Sequence, residues 1–474
     1  MIDYSLAAPE IFLTAAICAV LIVDVFLREE QRRITYTLSM LTLVGVAICS
    51  VWFGVDTSMT TFNGAYVADP AGNVLKLFAY LIVALVFLYS RGFLDQNGLL
   101  KGEFFILGLF GLLGLMIMVS GNNLLVLYLG LELQALSLYA LIAFNRDSAR
   151  SAESAMKYFV LGAIASGMLL YGISLLYGIT GTIELAPLAQ ALAAPDGLDI
   201  PALLALAFVV VGVAFKFGAV PFHMWIPDVY HGAPTPVALY VGSAPKIAAF
   251  ALTWRILVEG MGPMQLDWQD MLIVLCVLSL VIGNLLAIVQ TNFKRMLGYS
   301  TISHVGFILM GFIAGTENGL RDAMFYTIVY VLMATAAFGM IILLSRRGFE
   351  AENLEDFKGL NARSPWFAFV MLLIMFSMTG VPPLVGFYAK LVVLQSVVEA
   401  GLVWLAALGV LFAVIGAFYY LRIVWYMYFS EPAEEVPLLA APDLRVVISA
   451  NGLSLLALGV FPGLLLDLCA RVLT

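Results

Sequence analysis

The feature that most constrains this chain is a succession of about fourteen apolar segments, each near the roughly 20 residues a helix needs to cross the hydrocarbon core of a bilayer. Cut at polar and Gly/Pro breaks, they lie near 8–27, 34–53, 73–94, 104–120, 122–144, 152–178, 200–222, 236–259, 270–291, 299–315, 320–345, 364–398, 403–429 and 443–466. Only 11% of the residues are charged, against about 25% in soluble domains. The predicted fold is an all-α polytopic membrane protein.

The N-terminus opens with acidic rather than basic residues, so it reads as a retained first helix and not as a cleaved signal peptide. Placing it outside puts every odd connection on the cytoplasmic side, where Arg28, Arg32, Arg33, Arg146, Arg150, Lys294, Arg295, Arg346 and Arg347 then fall. The outer connections hold only Arg321 and Arg471, with Lys76 near the outer end of its helix. The positive-inside rule accepts this orientation and leaves both termini outside. The connection around 185–197 is then an outer one.

Two segments are interrupted. Gly218 to Pro221 breaks the seventh, and Gly380, Pro382 and Pro383 break the twelfth. A proline inside a membrane helix frees a carbonyl that lipid cannot satisfy, so each break must face protein or a water-filled cavity. The breaks lie five segments apart. Two five-helix repeats are therefore predicted, the second inverted, because an odd number of crossings reverses direction. This divides the chain into N-terminal helices (1–103), a first repeat (104–260), a second, inverted repeat (261–430) and a C-terminal helix (431–474). Paired broken helices in inverted repeats are a layout for an ion path near the midplane.

Several function classes drop out. The net charge is −8 and no basic stripe is present, which argues against nucleic acid. No phosphate-binding glycine loop, nucleophile elbow or metal-ligand cluster occurs. Cys18, Cys49, Cys276 and Cys469 are isolated in apolar runs and read as packing residues. No cofactor is expected in this chain.

What remains is charge in apolar surroundings. Arg255 and Arg422 lie near segment ends and are expected to snorkel to the interface. Lys216, Lys246, Lys390 and Glu132 are deeper. A charged side chain at the centre of a membrane helix costs about 2.5–3.5 kcal/mol on insertion scales. One structural ion pair between Glu132 and a lysine would leave two lysines over. A carboxylate with three lysines looks instead like a chain of titratable sites: desolvation opposes the ammonium, a nearby carboxylate supports it, and a lysine so placed can change its proton state. Arginine cannot do this. His304, inside a predicted helix, is either a relay or a satisfied core residue. His223, two residues past the first break, is a second relay candidate, whereas His231 in DVYHGAPTP reads as a loop contact.

The strings FKFGAVPFHMWIPDVYHGAPTPVALYVGSAPKIAAF and NFKRMLGYSTISHVGFILMG resemble the antiporter-like membrane subunits of respiratory complex I, with similarity over roughly residues 120 to 420. The resemblance implies that Glu132 pairs with Lys216, that Lys246 carries the proton across the centre, and that Lys390 exchanges it outward. It also implies quinone reduction in partner subunits that hold FMN and iron-sulfur clusters. A second antiporter-like subunit and small membrane subunits would lie alongside, in a bacterial inner membrane. Alternatives are a subunit of a multisubunit cation/proton antiporter or membrane-bound hydrogenase, and a stand-alone secondary transporter for an organic solute. A purely structural anchor gives no reason for deep lysines.

Overall fold

The computed structural model describes residues 2–193, 200–432 and 440–473. It is helical almost throughout, apart from a small antiparallel hairpin of β1 (Met59–Thr61) and β2 (Tyr66–Ala68) that the sequence reading did not anticipate. The N-terminal helices are α1 (Ala8–Phe26), α2 (Arg33–Trp52) and α3 (Pro70–Gln96). Next come α4 (Gly102–Ser120), α5 (Leu124–Ile142), α6 (Ala149–Thr180), the short α7 (Leu185–Leu192), and α8 (Ile200–Phe217) with its continuation α9 (Trp225–Gly232). The eighth crossing is α10 (Thr235–Gly242) followed by α11 (Ala244–Thr253) and a π-helical turn (Trp254–Gly260). Then follow α12 (Gln265–Ile288), α13 (Phe293–Ile313), α14 (Glu317–Leu344), the single turn α15 (Leu360–Arg363), α16 (Pro365–Thr379), α17 (Val385–Glu399), α18 (Val403–Phe429), α19 (Pro442–Val460) and α20 (Gly463–Leu473).

Among the described residues, 13 helical stretches are long and apolar enough to cross a membrane. The pair α16–α17 supplies one further crossing, in keeping with the segments expected. Of the outer connection 185–197, residues 194–197 lie outside the described residues.

Local signals explain where helices begin. Asp69, Asn123, Ser148, Asn292 and Thr316 each accept a backbone N–H in the first turn of α3, α5, α6, α13 and α14, which satisfies donors that have no partner in the helix itself. Burial then sorts the helices. α10, α11, α13 and α14 are enclosed by others on nearly all sides, whereas α1, α2, α6 and α18 carry rows of exposed apolar side chains such as Val25, Trp52, Ile164 and Val414. In water such a surface would aggregate; in lipid it is the solvent-facing side. The charged residues of interest lie on or beside the enclosed helices.

Three details differ from the sequence reading. The seventh crossing does not stop near residue 222 but resumes as α9, so His231 lies in the last turn of a helix rather than in a loop. The eighth is also interrupted, at Ser243, whose backbone (φ −116°, ψ −92°) separates α10 from α11 ahead of Pro245. Arg255 does not snorkel: it is 2% exposed, contacts Asp69, and donates to Glu259 at 2.6 Å and to the Val119 carbonyl at 3.0 Å.

Candidate functional site

Both helix breaks are built the same way. α8 ends where Gly218 takes φ +80° and α16 where Gly380 takes φ +89°, a left-handed conformation open to glycine without a Cβ clash. Gly218 N–H donates to the Phe215 carbonyl at 3.0 Å and Ala219 N–H to Ala214 at 2.8 Å; Gly380 N–H donates to Ser377 at 3.0 Å and Val381 N–H to Phe376 at 2.9 Å. These are paired Schellman bonds, which use up some of the carbonyls a helix end leaves over. Cis peptide bonds follow at Val220–Pro221 and Pro382–Pro383. Protein groups complete the satisfaction: Val220 N–H donates to Ser279 Oγ at 2.9 Å, and Gly386 N–H to Ser377 Oγ at 3.2 Å.

A lysine ammonium sits on each break. Lys246, on α11 and 0% exposed, donates to the Phe217 carbonyl at 3.0 Å and lies 5.3 Å from the centre of the Trp225 ring. Lys390, on α17, donates to the carbonyls of Met378 at 3.1 Å and Thr379 at 2.8 Å and lies 5.2 Å from the centre of the Phe307 ring. Both cations are therefore held at the negative end of a helix dipole by neutral oxygens. Lys216, one residue before the carbonyl that Lys246 holds, is buried and its Nζ has no hydrogen-bond partner.

The expected contact between Glu132 and Lys216 is not formed. Glu132 is half-buried on α5 and accepts instead from the Ser166 hydroxyl of α6, while a cavity of about 20 Å³ bordered by Ser166, Tyr139, Tyr158 and Lys216 lies beside it. Glu132 does not itself line this cavity; Ser166, which holds its carboxylate, and Lys216 both do.

His304 is 3% exposed on α13, with Nδ1 2.7 Å from the Tyr326 hydroxyl and Nε2 3.1 Å from that of Tyr420, which also contacts Ser300. Tyr326 stacks on Phe307, the ring beneath Lys390. This places the imidazole in a polar thread beside Lys390. His223 lies half-buried in the turn of the first break, and no hydrogen bond joins it to the other candidates. Sequence reasoning singled out neither Ser166 nor the three tyrosine and serine hydroxyls around His304, since uncharged polar residues are common in membrane helices.

It also passed over two strong buried ion pairs. Lys76 Nζ is 2.5 Å from Glu10, whose other oxygen accepts from Tyr66 at 2.8 Å. Arg255 is held between Asp69 and Glu259. On the face expected to be cytoplasmic, a cavity of about 470 Å³ is lined by Lys101, Arg146, Arg150, His231, Lys294 and Glu350, among others. There Glu352 binds Arg150 at 3.1 Å and Lys294 at 3.0 Å. Burial raises the Glu352 carboxyl, but these two cations outweigh it and hold the group below its ordinary value.

Residues 121–416 match the family described as NADH:quinone oxidoreductase/Mrp antiporter. NADH-quinone oxidoreductase subunit N of Thioalkalivibrio sulfidiphilus is 58% identical over 473 residues, covering 100% of this chain and 98% of that protein. The subunit N of Thiobacillus denitrificans is 55% identical over 473 residues, with 100% and 98% covered. The chain belongs to the NADH-quinone oxidoreductase subunit N family. A chain of respiratory complex I from Thermus thermophilus superposes on this subunit N family member with a TM-score of 0.83 at 31% identity, covering 98% of this chain and 99% of that one. A chain of the Mrp complex from Dietzia sp. gives 0.83 at 20% identity, with 99% and 97% covered, a likeness of fold alone.

Proposed function

We infer that this chain is a proton-translocating membrane subunit of NADH-quinone oxidoreductase, and that Lys216, Lys246 and Lys390 carry the protons. The observation behind this reading is a division among buried cations. Lys76 and Arg255 are locked to carboxylates, whereas Lys246 and Lys390 rest on carbonyls and Lys216 on no protein acceptor. A carbonyl accepts from an ammonium and, more weakly, from a neutral amine, so losing a proton leaves no unpaired charge on the partner. A carboxylate partner would be left as an uncompensated buried charge.

Glu132, at the outer edge of the helix cluster, modulates Lys216. Lys246 passes the proton across the centre, His304 and its tyrosines relay it, and Lys390 exchanges it with the outer side. His223 is a second relay candidate by its place in the turn of the first break. The two broken-helix halves, 104–260 and 261–430, act as the two inverted repeats of this path. Neighbouring membrane subunits, one of them antiporter-like, press on the Glu132 edge, and FMN, iron-sulfur clusters and quinone belong to the partner subunits. Both termini face the outside of a bacterial inner membrane.

The test is Lys216→Arg against Lys216→Ala, reading protons moved per electron in vesicles with matched amounts of assembled complex. Arginine is expected to keep assembly and lose translocation, because the guanidinium stays protonated. Full pumping by the arginine variant would reduce Lys216 to a structural charge.

A further inference from the structure

Resting on the reading that Glu132 and Lys216 exchange charge, we propose that Ser166 is the residue through which they do so, its hydroxyl bridging the carboxylate to the amine across a single water site. The Ser166 hydroxyl donates to Glu132 Oε1. Having one hydrogen, it accepts at its oxygen from the Tyr128 hydroxyl, 3.0 Å away. One lone pair of Oγ is left. Ser166 borders the cavity of about 20 Å³ that Lys216 also lines, and one water needs about 10–15 Å³ of such space with two to four polar neighbours. Ser166 and Lys216, with Tyr139 and Tyr158 on the same wall, supply the polar side chains. Lys216 Nζ, buried and without a protein acceptor, is the group that requires one.

The transfer balances without any further reagent. An N–H bond of the Lys216 ammonium breaks as a water O–H forms, the water passes a proton to Ser166 Oγ, and the serine O–H breaks as Glu132 Oε1 gains its proton. An ammonium and a carboxylate become a neutral amine and a neutral acid, and the reverse step restores the charges. Ser166 also holds Glu132 away from direct contact with Lys216, so the pair stays exchangeable. A direct ion pair would deepen the charged state.

The test compares Ser166→Thr with Ser166→Val in the intact complex. The two replacements are nearly equal in volume and differ in the hydroxyl. Protons moved per electron, and their dependence on pH, are read at matched assembly beside Glu132→Gln. Threonine is expected to keep the ratio and the profile, and valine to fall to the level of Glu132→Gln. If Glu132→Gln loses pumping while valine matches wild type, the serine bridge is overturned and the role of Glu132 stands. Equal impairment by threonine and valine also overturns it, since volume and not the hydroxyl would then matter. Full pumping by Glu132→Gln would remove the underlying reading as well.

Discussion

The two broken helices share their glycine, their Schellman bonds and their cis proline, yet they obtain their lysine differently. At the second break the cation comes from the resumed half of the same crossing, Lys390 reaching back to Met378 and Thr379. At the first it comes from the next crossing, Lys246 reaching to Phe217. The first break therefore has a second lysine to spare, Lys216, on its own leading half and facing α5 and α6. A self-capped break carries one lysine. A break capped from outside brings two lysines to one turn of backbone, the pair on which Glu132 acts in the proposed path.

The largest effects expected are on transport. Lys246→Arg and Lys390→Arg keep a donor on the break carbonyls but give up the neutral state. Both should lose proton translocation with the complex still assembled, and a variant that pumps fully would break the parallel between the two breaks. Next in size is Gly218→Ala against Gly380→Ala. Each forces a side chain into positive φ at about 1–2 kcal/mol. At Gly218 a Cβ also meets the Ile226 side chain, which adds about 1–3 kcal/mol of overpacking. At Gly380 the nearest atom is the flexible Lys390 Cδ, 3.0 Å away. Thermal denaturation of the assembled complex should rank Gly218→Ala as the worse; equal shifts would show that the first break is no more tightly packed.

A smaller difference should separate Ser279→Ala from Ser377→Ala. The first leaves the buried Val220 N–H without an acceptor, at about 1–3 kcal/mol. The second also leaves a buried N–H, that of Gly386, without its acceptor, but the bond lost is longer at 3.2 Å, and a loss at the lower end of that range, about 1 kcal/mol, is expected. The smallest effect lies at the charged cluster around Glu352. Because Glu352 is held below its ordinary value by Lys294 and Arg150 despite burial, its contribution is full above the unfolded carboxyl pKa and fades as pH falls through the lowered folded value. Glu352→Gln should lower the melting temperature near neutral pH and converge with the parent in acid; a constant gap would exclude the ion pairs as its cause.

Much of this was legible in the chain. Lys216, Lys246, Lys390 and Glu132 stand out because each interrupts an apolar run, and Gly-x-x-Pro inside a crossing announces a break wherever it occurs. His304 was visible as a histidine inside a helix, but its tyrosine partners come from α14 and α18, far along the chain. The interruption at Ser243 carries the same signal, since Gly242-Ser243-Ala244-Pro245 is also Gly-x-x-Pro inside the segment 236–259, but the reading of the sequence passed it over.

The amino-acid sequence by itself determined the number of crossings and which side chains carry charge, because these follow from hydropathy and residue type. Which buried cations are locked to carboxylates and which rest on carbonyls or on no protein acceptor was decided only by the tertiary structure. Arg255 and Asp69 stand 186 positions apart, and nothing local in either stretch announces that they meet. The resemblance to the complex I subunits implied that Lys216 and Glu132 are partners, but a serine on a third helix holds the carboxylate instead. An ion pair depends on distances of a few ångströms across helices, and those are set by packing.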